Sequence, residues 1–321
     1  MKKKITKALK IVTPLGIGAV LVWYSLSSAT PEELKNLWKL IINADPFWVG
    51  LSLFIGLLSH ISRAYRWQYL ATPLGYSSRF RTSFMAVMVG YLSNLGIPRS
   101  GEFLRAVTLS NYEDIPFQKS LGTIITERVI DLIMLLLIVS LAFILNTEAL
   151  GVYFVEQDIA PLKIVYTLVG GLVVMGGGFL LIKKLKLPFI EKLRQFVLGL
   201  YEGMLSVFKM KNKAAFIGHT IFIWIAYVLM LYVVKFSVSG ISEVSLSAIL
   251  MVFVAGSLAM MTSNGGFGAY PVFVGLALLL FGIEKTIGEA YGWIIWGSQT
   301  LMNLVFGVLS FILLPVFSKK K

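Results

Sequence analysis

The chain has 321 residues, no cysteine, 57% hydrophobic residues and a mean hydropathy of +0.81. Soluble domains average roughly 45–50% apolar residues and rarely hold runs of about 20, so this composition argues against a soluble fold. The net charge of +13 is concentrated in short segments between apolar runs, the pattern of cytoplasmic loops rather than of a nucleic-acid-binding surface. Without cysteine there is no disulfide framework and no thiolate metal site.

The first apolar run, about 8–27, follows Lys2, Lys3 and Lys4 and contains Trp23 and Tyr24. It is longer than a usual signal-peptide core, and its aromatics suit an interfacial belt, so an uncleaved span is expected over a cleaved leader. Thr30-Pro31-Glu32-Glu33 then forms a capping box with proline at the first helical position. Leu34, Leu37, Trp38 and Ile41 share one face of the helix that follows, which predicts a helix lying on the outer surface.

Further spans are predicted at about 46–70, 118–145, 161–182, 214–236 and 289–315, giving an all-α polytopic protein with six crossings. Two more apolar stretches, 82–98 and 245–283, are interrupted by Asn94 to Glu102 and by Asn264 to Pro271. Irregular backbone at membrane depth survives only where protein or a watery cavity satisfies it. Pro188 opens a predicted cytoplasmic interfacial helix, 188–210, with an apolar stripe from Phe189 to Val207 and a basic face.

Twenty of the 29 basic residues fall in the N-terminal, 63–81, 183–213 and C-terminal segments, whereas the intervening loops carry Glu32, Asp45, Glu148, Glu243, Glu284 and Glu289. The asymmetry predicts cytoplasmic termini and an inner-membrane location. It also makes 82–115 dip in and return on the cytoplasmic side, and 245–283 on the exterior. Span, hairpin and span thus recur with reversed orientation, about 46–145 and about 214–315, within one integral membrane domain. Such inverted repeats place a transport site where the hairpins meet.

Charged residues concentrate there. Glu127, Arg128 and Asp131 sit in the first turns of the 118–145 span, and Arg99, Glu102 and Arg105 in the first hairpin. Left unpaired, these six would cost on the order of 15 kcal/mol, so they must pair or line water. One reading is a salt-bridge cluster pinning the hairpin; the other has arginines receiving an anionic headgroup, for which a planar fork suits phosphate. Arg63 is expected to turn inward beside His60, while Arg66 is expected to snorkel to the interface. His60 and His219 read as satisfied bundle residues, and two histidines without cysteine make a transition-metal site improbable. Gly265, Gly266 and Gly268, beside Asn264, let backbone approach a ligand closely and could cradle phosphate. No nucleotide-binding or hydrolase motif is present, so no enzyme activity and no cofactor are expected.

Arg63-Ala64-Tyr65-Arg66-Trp67, then Asn94 to Pro98-Arg99-x-Gly101-Glu102-x-x-Arg105, Glu127-Arg128-x-x-Asp131 and Gly265-Gly266-x-Gly268, occur in the order of a known family. Over about residues 10–315 the chain resembles the flippase-like membrane domain of lysylphosphatidylglycerol synthases, which also occurs as a stand-alone protein. The resemblance implies re-entrant hairpins and movement of lipids between leaflets. Two-domain members append an aminoacyltransferase; here the sequence ends at Lys321, and no synthase activity is expected. Tyr270 departs from the pattern, since the family usually has an acid soon after the last glycine of this hairpin.

The combined expectation is a lipid flippase or scramblase for an anionic or polyprenyl-phosphate-linked lipid. Membrane lipids are its expected partners, and a second copy or a partner glycosyltransferase or synthase stays open. A non-transporting scaffold and a membrane-embedded lipid-modifying enzyme are the alternatives.

Overall fold

The computed structural model describes residues 19, 20, 22, 23, 27, 29–156 and 210–317. The span at 161–182, the helix at 188–210 and most of the span at 8–27 lie outside the described residues. All regular structure among the described residues is helical.

Helix α1 (Pro31–Ile42) begins at the capping box: Thr30 Oγ1 accepts from the Glu33 amide at 3.2 Å, and the Glu33 carboxylate accepts from the Thr30 amide at 2.6 Å. Those bonds from Thr30 hold the Glu33 carboxyl below the usual carboxylate range. The helix buries Leu37 and packs Leu40 and Ile41 inward, leaving Trp38 59% exposed. The buried face is therefore rotated from the predicted one. Trp38 points away, as an interfacial indole does.

Among the described residues four helices are long and apolar enough to cross a membrane: α2 (Pro46–Ala71), α5 (Phe117–Leu145), α7 (Lys213–Val234) and α10 (Lys285–Phe317). Between α2 and α5 lie α3 (Phe80–Gly96) and α4 (Gly101–Glu113); α6 (Thr147–Glu156) follows α5. Between α7 and α10 lie α8 (Leu246–Thr262), a 3-10 turn at Asn264–Gly266 and α9 (Ala269–Leu279). At 1.5 Å per residue, α3 and α8 rise about 26 Å, short of the ~30 Å hydrocarbon core. Each then turns back, making a helical hairpin.

Helices α2 and α7 pack antiparallel. At one end the Asp45 amide donates to the Ser237 carbonyl; toward the other, Ser62 Oγ contacts His219 Nδ1 at 2.8 Å and Arg66 donates to Thr220 Oγ1 at 3.3 Å. Each opens a series of long helix, hairpin, long helix, so the two series run in opposite directions. The hairpin tips touch where Asn264 Nδ2 donates to the Leu95 carbonyl at 3.1 Å.

Small residues permit these close approaches. A Cβ on Gly101 would strike the Gly90 carbonyl and lie 2.6 Å from Asn94 Nδ2, so the limbs of the first hairpin need glycine there. Apolar side chains of α5, among them Leu132, Ile133, Leu136 and Leu137, point outward, as a lipid-facing surface requires.

Candidate anion-binding cleft

Helix α2 contributes Arg63 and Arg66, one turn apart; α5 answers with Glu127 and Asp131, one turn apart on its facing side. Arg63 Nη1 bonds Asp131 Oδ2 at 2.7 Å, and Arg66 Nη1 bonds Asp131 Oδ1 at 3.0 Å. Arg66 also reaches Glu127 Oε1 at 3.3–3.4 Å. From α4, Arg105 Nη1 donates to Glu127 Oε2 at 2.5 Å. Arg128 pairs with Glu102 at 3.2 Å and with Asp131 at 3.5 Å. Tyr227 of α7 accepts from Arg63 at 3.0 Å and meets Tyr91 of α3 at 3.5 Å.

Burial makes this cluster expensive unless paired: Arg66 and Glu127 are fully inaccessible, and Arg63 and Arg105 nearly so. Four guanidiniums face three carboxylates, which leaves one unit of positive charge. Three buried N–H positions, Arg63 Nε and Arg105 Nε and Nη2, have no hydrogen-bond partner. Arg63, Arg105, Arg128, Glu102, Tyr91 and Asn94 line a narrow cleft of about 20 Å³ beside them, room for about one water. An excess cation with unused donors favours an anion over a neutral group, because charge-assisted hydrogen bonds gain strength in a low dielectric.

The structure sorts the predicted residues. It joins Arg63, Glu102, Arg105, Glu127, Arg128 and Asp131 in one network. Asn94 lines the cleft, but its side-chain oxygen is used to accept the Gly101 amide at 2.7 Å. Arg66 does not snorkel, because both carboxylates of α5 reach it inside the bundle. Arg99 does not join the cluster: it is exposed at the hairpin turn, with φ 60°. The Ser100 amide closes that turn onto the Ile97 carbonyl at 3.2 Å. Asn264, Gly265, Gly266 and Gly268 do not line the cleft. The three glycines hold φ of 61°, 80° and 70°, and the Gly265 carbonyl accepts from Trp296 Nε1 at 2.7 Å, so this tip is anchored to α10. Tyr270 is buried with its ring against Gly256, where any Cβ would fall 2.7 Å from it. His219 has its partner in Ser62, whereas neither ring nitrogen of His60 has one, contrary to a satisfied bundle histidine.

Arg66, Tyr91 and Tyr227 were missed as site residues. The signal for Arg66 was available in its spacing, since Arg63/Arg66 at three apart can face Glu127/Asp131 at four apart. The tyrosines carry no such signal, because only the packing of both α3 and α7 on α2 brings them together.

Fold and cleft together define a polytopic helical membrane protein with paired helical hairpins and a buried arginine–carboxylate cluster. The chain belongs to the family described as the lysylphosphatidylglycerol synthase TM region, whose profile matches residues 11–307. It is also similar to a UPF0104 membrane protein of Methanocaldococcus jannaschii, 33% identical over 136 residues. That alignment covers 41% of this chain and 38% of the relative's length. No solved structure matches significantly.

Proposed function

We propose that this protein moves a lipid with an anionic headgroup between leaflets, the cluster at the first hairpin receiving the phosphate. The observation that carries the reading is the single uncompensated positive charge of the buried cluster, with unused Arg63 and Arg105 donors beside a narrow cleft. A cluster serving only to pin helices gains nothing from an excess buried cation. An arriving phosphate balances that charge and engages donors already held in place. Arg99, at the exposed turn, makes first contact, and Glu102 and Asp131 orient the arginines.

The basic end of α2 and the opening of the first hairpin face the cytoplasm in this reading, and the membrane is the inner one. The protein acts without catalysis. Polyprenyl-phosphate-linked lipids share the phosphate chemistry and fall within the proposed class.

The test is leaflet exchange in liposomes holding purified protein and fluorescent anionic, zwitterionic or polyprenyl-phosphate lipids. Exchange should favour phosphate-bearing anionic headgroups and be lost in Arg105→Gln of unchanged monodispersity. Exchange no faster than in empty vesicles, for every lipid, would reject the reading.

A further inference from the structure

Mid-way along α2, His60 is only 5% exposed, and both Nδ1 and Nε2 lack hydrogen-bond partners. An imidazole buried without partners on either nitrogen is costly, and the cluster described above makes no use of it. Its surroundings are those an imidazolium would use. Asn303 of α10 interacts with the ring, and its buried Oδ1 also lacks a partner, an acceptor ready for an N–H. The Tyr91 ring of α3 lies 4.5 Å away centroid to centroid, close enough to stabilise a cation on its face. The neutral ring has one N–H and one acceptor nitrogen, whereas the imidazolium donates from both.

Burial of the ring opposes the proton first, and Arg63, one turn along α2 and paired with Asp131, adds positive charge beside it. Beyond it stand Asp131 and Glu127 of α5, each already engaged by arginines, and Tyr227 of α7, which joins Arg63 to Tyr91. A second positive charge at His60 is disfavoured while the cleft is empty. An anion bound to Arg63 and Arg105 balances the network's surplus charge and relieves the electrostatic part of that opposition. We infer that His60 is a proton-binding site coupled to the cleft, so that the protein takes up a proton when an anionic headgroup binds. By reciprocity, protonation of His60 strengthens anion binding by the same factor. The coupling rests on the anion-binding reading above and supplies the link that lets a pH gradient drive lipid movement.

The experiment titrates full-length protein in neutral detergent at pH 6, weakly buffered, with dihexanoyl phosphatidylglycerol, and follows binding and proton uptake together. Wild type should bind and take up protons; His60→Gln should bind without uptake; His219→Gln should match wild type. The chain has two histidines, so in His219→Gln the His60 ring is the sole histidine signal for nitrogen NMR. It should change from neutral to imidazolium on addition of lipid. This readout does not depend on the folding of a His60 variant. Binding with unchanged uptake in His60→Gln, or a His60 ring that stays neutral with lipid bound, would overturn the inference and leave anion binding intact. No binding by wild type would overturn both.

Discussion

Arg99 occupies the third position of the turn Ile97 to Ser100, after Pro98, with φ 60°. Glycine is the residue that such a turn favours, and a side chain there costs about 1–2 kcal/mol. Arg99 makes no ion pair with the described residues that would offset the cost. Replacing Arg99 by glycine relieves the strain but adds about 0.4–1 kcal/mol of unfolded-state entropy. Arg99→Gly should therefore match wild type in stability or exceed it by up to about 1.6 kcal/mol. Arg99→Ala retains the strained φ and should not gain. Both should slow leaflet exchange at least several-fold if the guanidinium is the first contact for a headgroup. The assay pairs denaturant unfolding in micelles with the liposome exchange measurement. Arg99→Gly that keeps the wild-type exchange rate would refute the functional argument. Loss of more than about 2 kcal/mol in the same variant would show that the side chain holds the tip.

Glu127→Ala strands Arg66 and Arg105 in the bundle without their shared counter-ion. A loss of about 3–5 kcal/mol is expected, read as a fall in monodisperse yield and melting temperature. Gly101→Ala should part the limbs of the first hairpin at a cost of about 1–3 kcal/mol, whereas Gly96→Ala, with open space at its Cβ, should be tolerated. Thermal unfolding of the pair distinguishes them. Gly256→Ala should destabilise by collision with Tyr270, and Tyr270→Leu should recover most of that loss in the double variant. The lowered Glu33 carboxyl stabilises α1 above the unfolded-state value near 4.5, and that contribution disappears as pH falls through the folded-state value. Amide exchange in α1 should accelerate in acid; Thr30→Val, which keeps the backbone amide, should weaken the dependence, and Glu33→Gln should remove it.

Much of this molecule was legible because membrane insertion writes its constraints locally. Apolar length gave α2, α5, α7 and α10, and the interruptions at Asn94 and Asn264 gave both hairpins. The capping box gave the start of α1, but its buried face depended on where α10 lies, which no local pattern encodes. Arg66 was misassigned because nearness to the end of a helix says nothing about a carboxylate on another helix. Arg99 was grouped with the cluster because the sequence puts it three residues from Glu102. The left-handed turn at Arg99 carries its side chain out of that group. His60 was read as satisfied because orphaned polar atoms emerge only from packing.

The bond from Asn264 to the Leu95 carbonyl is a small fastening between two large pieces. Trp296 ties the second tip to α10, and Ser93 and Ser100 tie the first tip to itself. Between the tips this one side-chain hydrogen bond carries a net worth of about 1 kcal/mol. Long helices such as α2 and α7 are held together along their whole length, by contacts that must be broken many at a time. Parting the tips would leave every long helix in place, but it would have to slide α3 along α10, where Met88 and Leu92 lie against Gly307.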